Sequence, residues 1–271
     1  MCELFALSSR TPANVNFSLD IFARHGGFGG RMVDGWGLAF YDGGDVRLYR
    51  EPEPAGQSDW VSFIEQRRQR TSLVLSHIRR ATQGAVSLSN TQPFMRELGG
   101  REHVFAHNGD LAAISQRMAG SWTRFQPIGQ TDSEIAFCIL LEALSPLWAG
   151  RAVPSVASRM AVIQAFAAQL RALGPANFIY ADGDVLFAHG HRRIQHDGAI
   201  APPGLFRLTR ACAIAGAAAA ASGVTIGAGE AMQELVLFAS VPLTGEAWQP
   251  LREGEVVAVR QGREINGPDF L

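Results

Sequence analysis

The order of the apolar runs constrains this chain most: short strand-like runs, then two long helical patterns, then short runs again. Residues 2–8 form a short apolar run that predicts a buried strand. Runs 37–41 and 46–50 flank Asp42-Gly43-Gly44, and runs 177–181 and 185–189 flank Asp182-Gly183; both arrangements predict hairpins. Further strands are predicted over 73–78, 103–107, 235–241 and 255–259. Between the two strand blocks, Thr131 predicts a cap for a helix over 132–144. A second helix is predicted over 156–173, closed by Gly174-Pro175. Shorter helices are predicted over 17–24, ahead of a glycine-rich turn at 26–30, and over 59–69. Hairpin-linked strands around central helices predict an α+β fold with mostly antiparallel sheets. Without an internal repeat or a clear linker, residues 1–271 read as a single domain.

Composition narrows the chemistry. Hydrophobic residues make up 47% of the chain and charged residues 18%, which suits a packed core and argues against disorder. The net charge of -1 provides no bulk attraction to nucleic acid or to an anionic membrane. There is no lysine, so neither a phosphate-binding Walker lysine nor a pyridoxal Schiff base is available. The cysteines, Cys2, Cys138 and Cys212, are widely spaced and suggest neither a disulfide framework nor a zinc knuckle. The first residues lack the segments of a secretory signal, and the alanine- and glycine-rich stretch 211–229 reads as a packed or loosely ordered insert rather than a membrane span. A reducing cytoplasm is the expected location.

Four short segments carry chemistry. Cys2 would become the first residue after loss of Met1, placing a thiol and a free α-amine on one residue. An α-amine titrates near ~7.7–8.0 and a thiol near ~8.5, so one residue can provide both nucleophile and general base. The run His77-Ile78-Arg79-Arg80-Ala81-Thr82-Gln83-Gly84 closes a strand on two arginines. Neighbouring strand residues face opposite ways, so one arginine at most can offer its planar fork to a carboxylate in a given pocket. His107-Asn108-Gly109-Asp110 follows a strand and can supply an amide donor and an approachable backbone N–H for an oxyanion. Gly129-Gln130-Thr131-Asp132-Ser133-Glu134 opens a helix and provides a carboxylate for a substrate ammonium. Taken singly, each has an ordinary explanation: a buried small residue, a solvated arginine pair, an Asn-Gly turn, a capping carboxylate.

Their order carries more than any one of them. An N-terminal Cys is followed by His-x-Arg-x-Ala-Thr, then Asn90-Thr91-Gln92-Pro93-Phe94, then His-Asn-Gly, then Thr-Asp-x-Glu. This series resembles the class II glutamine amidotransferases of the N-terminal-nucleophile (Ntn) hydrolase superfamily. Asp34-Gly35-Trp36-Gly37 and Ser240-x-Pro242-Leu243-Thr244 with Trp248 resemble its compact single-domain members. The resemblance spans nearly the whole chain and is weakest over 200–232. It implies a four-layer αββα sandwich, with Cys2 as nucleophile, Asn108 and the Gly109 N–H as oxyanion hole, Arg79 and Thr82 at a substrate α-carboxylate, and Asp132 at its α-ammonium. It implies no metal and no organic cofactor. Arg80 stands where many members carry an aromatic residue, and Gln83 replaces a histidine of some sugar-linked members.

The expected substrate is glutamine or a γ-glutamyl small molecule, cleaved through a γ-glutamyl thioester. Candidate partners are a separate ammonia-accepting synthase and a second copy of the chain. The alternative is a catalytically silent Ntn fold that binds a ligand or regulates a partner. His189, His191 and His196 read as surface histidines, Cys138 and Cys212 as packing residues, and Trp36 as a core aromatic near the site.

Overall fold

The structure is a computed structural model that describes residues 2–17, 34–55, 58–67, 69–80, 84–150, 152–212, 219–221, 224–226 and 233–266. The first strand block comprises β1 (Glu3–Phe17), β2 (Gly35–Asp42), β3 (Asp45–Glu51), helix α1 (Asp59–Arg67) and β4 (Arg70–Arg79). Then come β5 (Phe94–Leu98), β6 (Arg101–Gly109) and the helices α2 (Ile114–Arg117), α3 (Asp132–Leu144) and α4 (Val156–Arg171). β7 (Ala176–Ala181), β8 (Leu186–His189), β9 (Arg193–Ile194), β10 (Ile200–Ala201) and β11 (Phe206–Cys212) follow. The last elements are β12 (Ala219–Ala221), β13 (Val224–Ile226), β14 (Gln233–Ala239), β15 (Gln249–Pro250), β16 (Val256–Arg260) and β17 (Arg263–Glu264).

Among the described residues, one sheet runs β15-β11-β14-β1-β4-β2-β3, with β13 and β12 added at the far end of β1; a second runs β17-β16-β8-β7-β6-β5. Their pairings are antiparallel, as the hairpin signals predict. Two glycines, Gly43 and Gly44, join β2 to β3, and Gly43 takes φ 67°, the left-handed value that such a two-residue hairpin requires. At the β7–β8 turn, Asp182 accepts the N–H groups of Asp184 and Val185 on one carboxylate oxygen.

Strand alternation then separates the cores. Leu4, Ala6, Leu75 and Phe238 of the first sheet pack against Ala106, Ile179, Ala188 and Val257 of the second. The opposite residues of the second sheet, including Phe105, Phe178 and Phe187, pack beneath α3 and α4. Those of the first sheet, including Phe5, Leu38, Val74 and Leu237, pack with Val61 and Ile64 of α1. Helix, sheet, sheet and helix therefore stack in four layers, the αββα sandwich that the resemblance implies.

Two predicted elements differ in extent or type, and β11 was not predicted. β1 continues well past residue 8, because a register shift between Ser8 and Ala13 lets the chain pass Thr11-Pro12 and resume pairing with Thr71 and Arg70. Phe17, predicted to begin a helix, ends this strand opposite Val224; the rest of that predicted helix and the glycine-rich turn lie outside the described residues. β11 falls in the region of weakest resemblance and is paired on both sides, with β14 and β15.

Candidate active site

Alternation also selects the residues at one end of the space between the sheets. Cys2 has the parity of the inward residues Leu4 and Ala6, Arg79 that of Leu75, Ser240 that of Phe238, and Asn108 that of Ala106. The end of β4 meets the start of β1, since Glu3 pairs with Ile78. There the Arg80 N–H donates to Cys2 Sγ at 3.3 Å, and Sγ lies 3.4 Å from the Arg80 carbonyl oxygen. Burial pushes the Cys2 thiol above its usual range; the Arg80 hydrogen bond draws it back, the Glu3 charge pushes it up again, and Arg79 draws it down. Such a thiol needs a base before it can attack.

Asn108 and Gly109 belong to β6, opposite Asn177 and Ala176, so this Asn-Gly pair is no hairpin turn. The buried Asn108 side chain directs Nδ2 at Ser240 Oγ, 3.4 Å away, and its backbone carbonyl accepts from Asn177 Nδ2 at 3.0 Å. The same Ser240 hydroxyl accepts the Leu4 N–H at 3.0 Å, which fastens the start of β1 to the Asn108 amide. At Gly109, space is the constraint: a Cβ would lie 1.9 Å from the Pro175 carbonyl oxygen.

Arg79 is buried, and Nη2 donates to the carbonyls of Gly84 at 3.2 Å and Ala85 at 3.1 Å, while Arg80 is half-buried. Thr82 lies outside the described residues. Asp132 opens α3, where the Thr131 hydroxyl caps the Glu134 N–H. Asp132 Oδ2 accepts the Leu111 N–H at 2.8 Å and Oδ1 the Ser133 N–H at 2.8 Å, so it holds the loop that leaves Gly109. Ser133 Oγ in turn meets His107 Nδ1 at 2.9 Å. Asn108, Gly109 and Asp132 are thus tied to one strand end, and Cys2 and Arg79 to the facing one.

Several positioning residues sit inside motifs whose individual roles the sequence did not reveal. Asn90 donates from Nδ2 to the Ala85 carbonyl at 3.0 Å and accepts the Gln130 N–H at 2.7 Å, joining the loop after Arg79 to the start of α3. Gln92 exchanges two hydrogen bonds with the backbone of His107, at 2.6 and 3.1 Å. Glu3 and Arg193 form a buried ion pair at 2.9 Å, and Arg193 also donates to the Ser240 carbonyl. Only a close look at polar residues beside apolar runs could have flagged them.

The expected surface position of the histidines is corrected for two of them. His189 is fully buried on the helix-facing side with Phe187, its ring 5.0 Å from that of Phe178, and its Nδ1 meets the Glu255 carbonyl. His191 is buried as well and accepts the Ala176 N–H. Among the described residues no group of three or more His, Cys, Asp or Glu could hold a metal ion. Cys138 and Trp36 are fully buried, and Trp36 Nε1 donates to Glu51.

The family model for class II glutamine amidotransferases matches residues 1–267. The chain is a member of that family. It is 33% identical over 257 residues to the protein named "Putative glutamine amidotransferase YafJ" of Escherichia coli (strain K12), covering 94% of this chain and 96% of that one. A Haemophilus influenzae protein of like description is 34% identical over 266 residues, covering 98% and 86%. A crystal structure titled as a predicted glutamine amidotransferase from Pseudomonas aeruginosa PA01 superposes with TM-score 0.69 at 29% identity, covering 98% of this chain and 100% of that one. The glutamine phosphoribosylpyrophosphate amidotransferase of B. subtilis shares the fold at TM-score 0.56 and 16% identity; the match takes 97% of this amidotransferase chain and 48% of that one. No helix among the described residues is long and apolar enough to cross a membrane.

Proposed function

We propose that this family member hydrolyses glutamine or a γ-glutamyl small molecule, with Cys2, freed by loss of Met1, as the nucleophile. The seating of the Cys2 thiol on the Arg80 backbone, at the strand end facing Asn108, supports this reading most. The Cys2 amine takes the thiol proton and the thiolate attacks the γ-carbonyl carbon. The oxyanion rests on Asn108 Nδ2 and the Gly109 N–H. The amine then gives its proton to the departing nitrogen, the C–N bond breaks, and a γ-glutamyl thioester remains. Water, deprotonated by the same amine, cleaves the thioester to glutamate and restores the thiol. Arg79 and Thr82 receive the α-carboxylate and Asp132 the α-ammonium, once Arg79 and Asp132 exchange their present backbone partners for substrate. As drawn, the reaction uses no metal or organic cofactor.

We read residues 1–271 as one cytoplasmic amidotransferase domain whose released ammonia or amine passes to a separate acceptor enzyme or to solvent. The test is glutamate release by protein whose intact mass shows Met1 removed, with glutamine and a larger γ-glutamyl amide compared. Cys2→Ala should abolish turnover while substrate still binds. Substantial residual glutamate release would overturn the assignment, and no release by wild-type protein lacking Met1 would favour a silent binding module.

A further inference from the structure

We propose that Glu3 is a positioning carboxylate for the Cys2 α-amine, completing a thiol–amine–carboxylate relay; this rests on the reading of Cys2 as an N-terminal nucleophile. Buried carboxylates are rare unless paired. Glu3 is 2% exposed, yet only one of its two oxygens has a strong partner: Oε1 accepts from Arg193 Nη2 at 2.9 Å. Oε2 is buried and has no partner in hydrogen-bond geometry among the described residues, the Ser240 hydroxyl being the further group that acts on the carboxylate as a donor. Leaving a buried acceptor unsatisfied is costly, and more so for a charged group.

The surroundings fix the carboxylate firmly. Arg193 is itself buried and donates to the Ser240 carbonyl as well. The Ser240 hydroxyl lies beside Glu3 and carries both the Leu4 N–H and the Asn108 amide. Glu3 is thus built into the framework that holds the nucleophile's strand and the oxyanion donor. Burial pushes its carboxyl above the usual range, and Arg193 and then the N-terminal ammonium draw it back only in part, so a cation brought closer would further stabilise its charged form.

Loss of Met1 creates that cation one residue away. As the thiol passes its proton to the amine, the resulting ammonium gains Glu3 Oε2 as counter-charge and hydrogen-bond acceptor. Glu3 stays ionised throughout, and the proton continues from the ammonium to the departing nitrogen. Arg79 from β4 and Arg193 from β9 oppose the ammonium, while His77 and His107 are held neutral by burial, His77 at about 3.

The test is the pH dependence of kcat/KM for γ-glutamyl amide hydrolysis, on proteins whose intact mass confirms loss of Met1. Glu3→Gln with Arg193→Gln removes both charges and keeps hydrogen-bonding groups in place. Its acid limb should move down, by less than the ~1 unit that losing an opposite charge alone would cause, because the Arg193 charge is lost with it. Arg193→Gln alone should move the limb up. An acid limb unchanged in both variants would overturn the proposal, since a purely structural role moves stability without moving this limb. Should the variants fail to fold, NMR titration of the 13C-methylated α-amine in Cys2→Ala protein decides. A value above the ordinary ~7.7–8.0 supports the relay, and one at or below it refutes it. If wild-type protein lacking Met1 is inactive, or if Cys2→Ala stays active, the nucleophile assignment fails instead.

Discussion

Gly109→Ala separates a site that tolerates adjustment from one that does not. The added Cβ would stand 1.9 Å from the Pro175 carbonyl oxygen and 2.7 Å from His107 Nε2, where real Cβ atoms essentially never come closer than 3.0 Å. Both obstacles are confined, because Pro175 leads into β7, the ladder partner of β6, and His107 is buried under α3. Relief therefore requires β6 and the start of β7 to part by about 1 Å, an overpacking expected to cost about 1–3 kcal/mol. The Gly109 N–H and the Asn108 amide move with the strand, and a displacement of that size at a reacting centre lowers rate by about 10²-fold. Steady-state glutamate release should therefore fall about 100-fold in kcat/KM, with thermal unfolding lowered by several degrees. A Gly109→Ala protein within about threefold of wild type would refute the reasoning that this backbone is held in place by Pro175.

Arg159→Met should destabilise the protein by about 3–5 kcal/mol in urea unfolding, because Asp182, fully buried beside Arg159 Nη1 at 2.7 Å, would lose its counter-charge. Asn90→Ala should raise KM at least tenfold with a smaller change in kcat, since both the Ala85 and Gln130 ends of its staple are released; an unchanged KM would show that these loops set themselves. Stability should fall as pH drops from 7.5 to 5.5. Burial holds His77 and His189 at about 3 and His103 at about 4 when folded, against 6.5 otherwise, so the unfolded chain binds protons that the folded one refuses. The stability these neutral imidazoles provide is present above pH 6.5 and is lost progressively below it, on the order of 1 kcal/mol each by pH 5.5. Equal unfolding free energies at the two pH values would contradict their burial as neutral groups.

What could be read from the sequence was what is local. Periodicity located α3 to the residue, and Thr131 does cap it. Hairpin turns were legible because Asp-Gly and Gly-Gly dictate backbone shape within a few residues. Cys2, Arg79, Asn108-Gly109 and Asp132 could be singled out as candidates because each sits at the end of a recognisable element. What the sequence hid depends on distant partners. Glu3 meets Arg193 across 190 positions, and β1 continues through Thr11-Pro12 only because β4 and β13 lie alongside to receive it. His189 read as a surface residue because its spacing from His191 and His196 matches no metal motif, whereas strand alternation beside Phe187 places it under the helices.

The central claim is that one sulfur, on Cys2, does the chemistry. Protein freed of Met1 should be treated with a glutamine-like diazoketone and digested, and the labelled peptide sequenced by mass spectrometry. The account predicts one equivalent of label, on Cys2, with parallel loss of glutamate release. Label on Cys138 or Cys212, or an unlabelled Cys2 in protein that still turns over substrate, would contradict it.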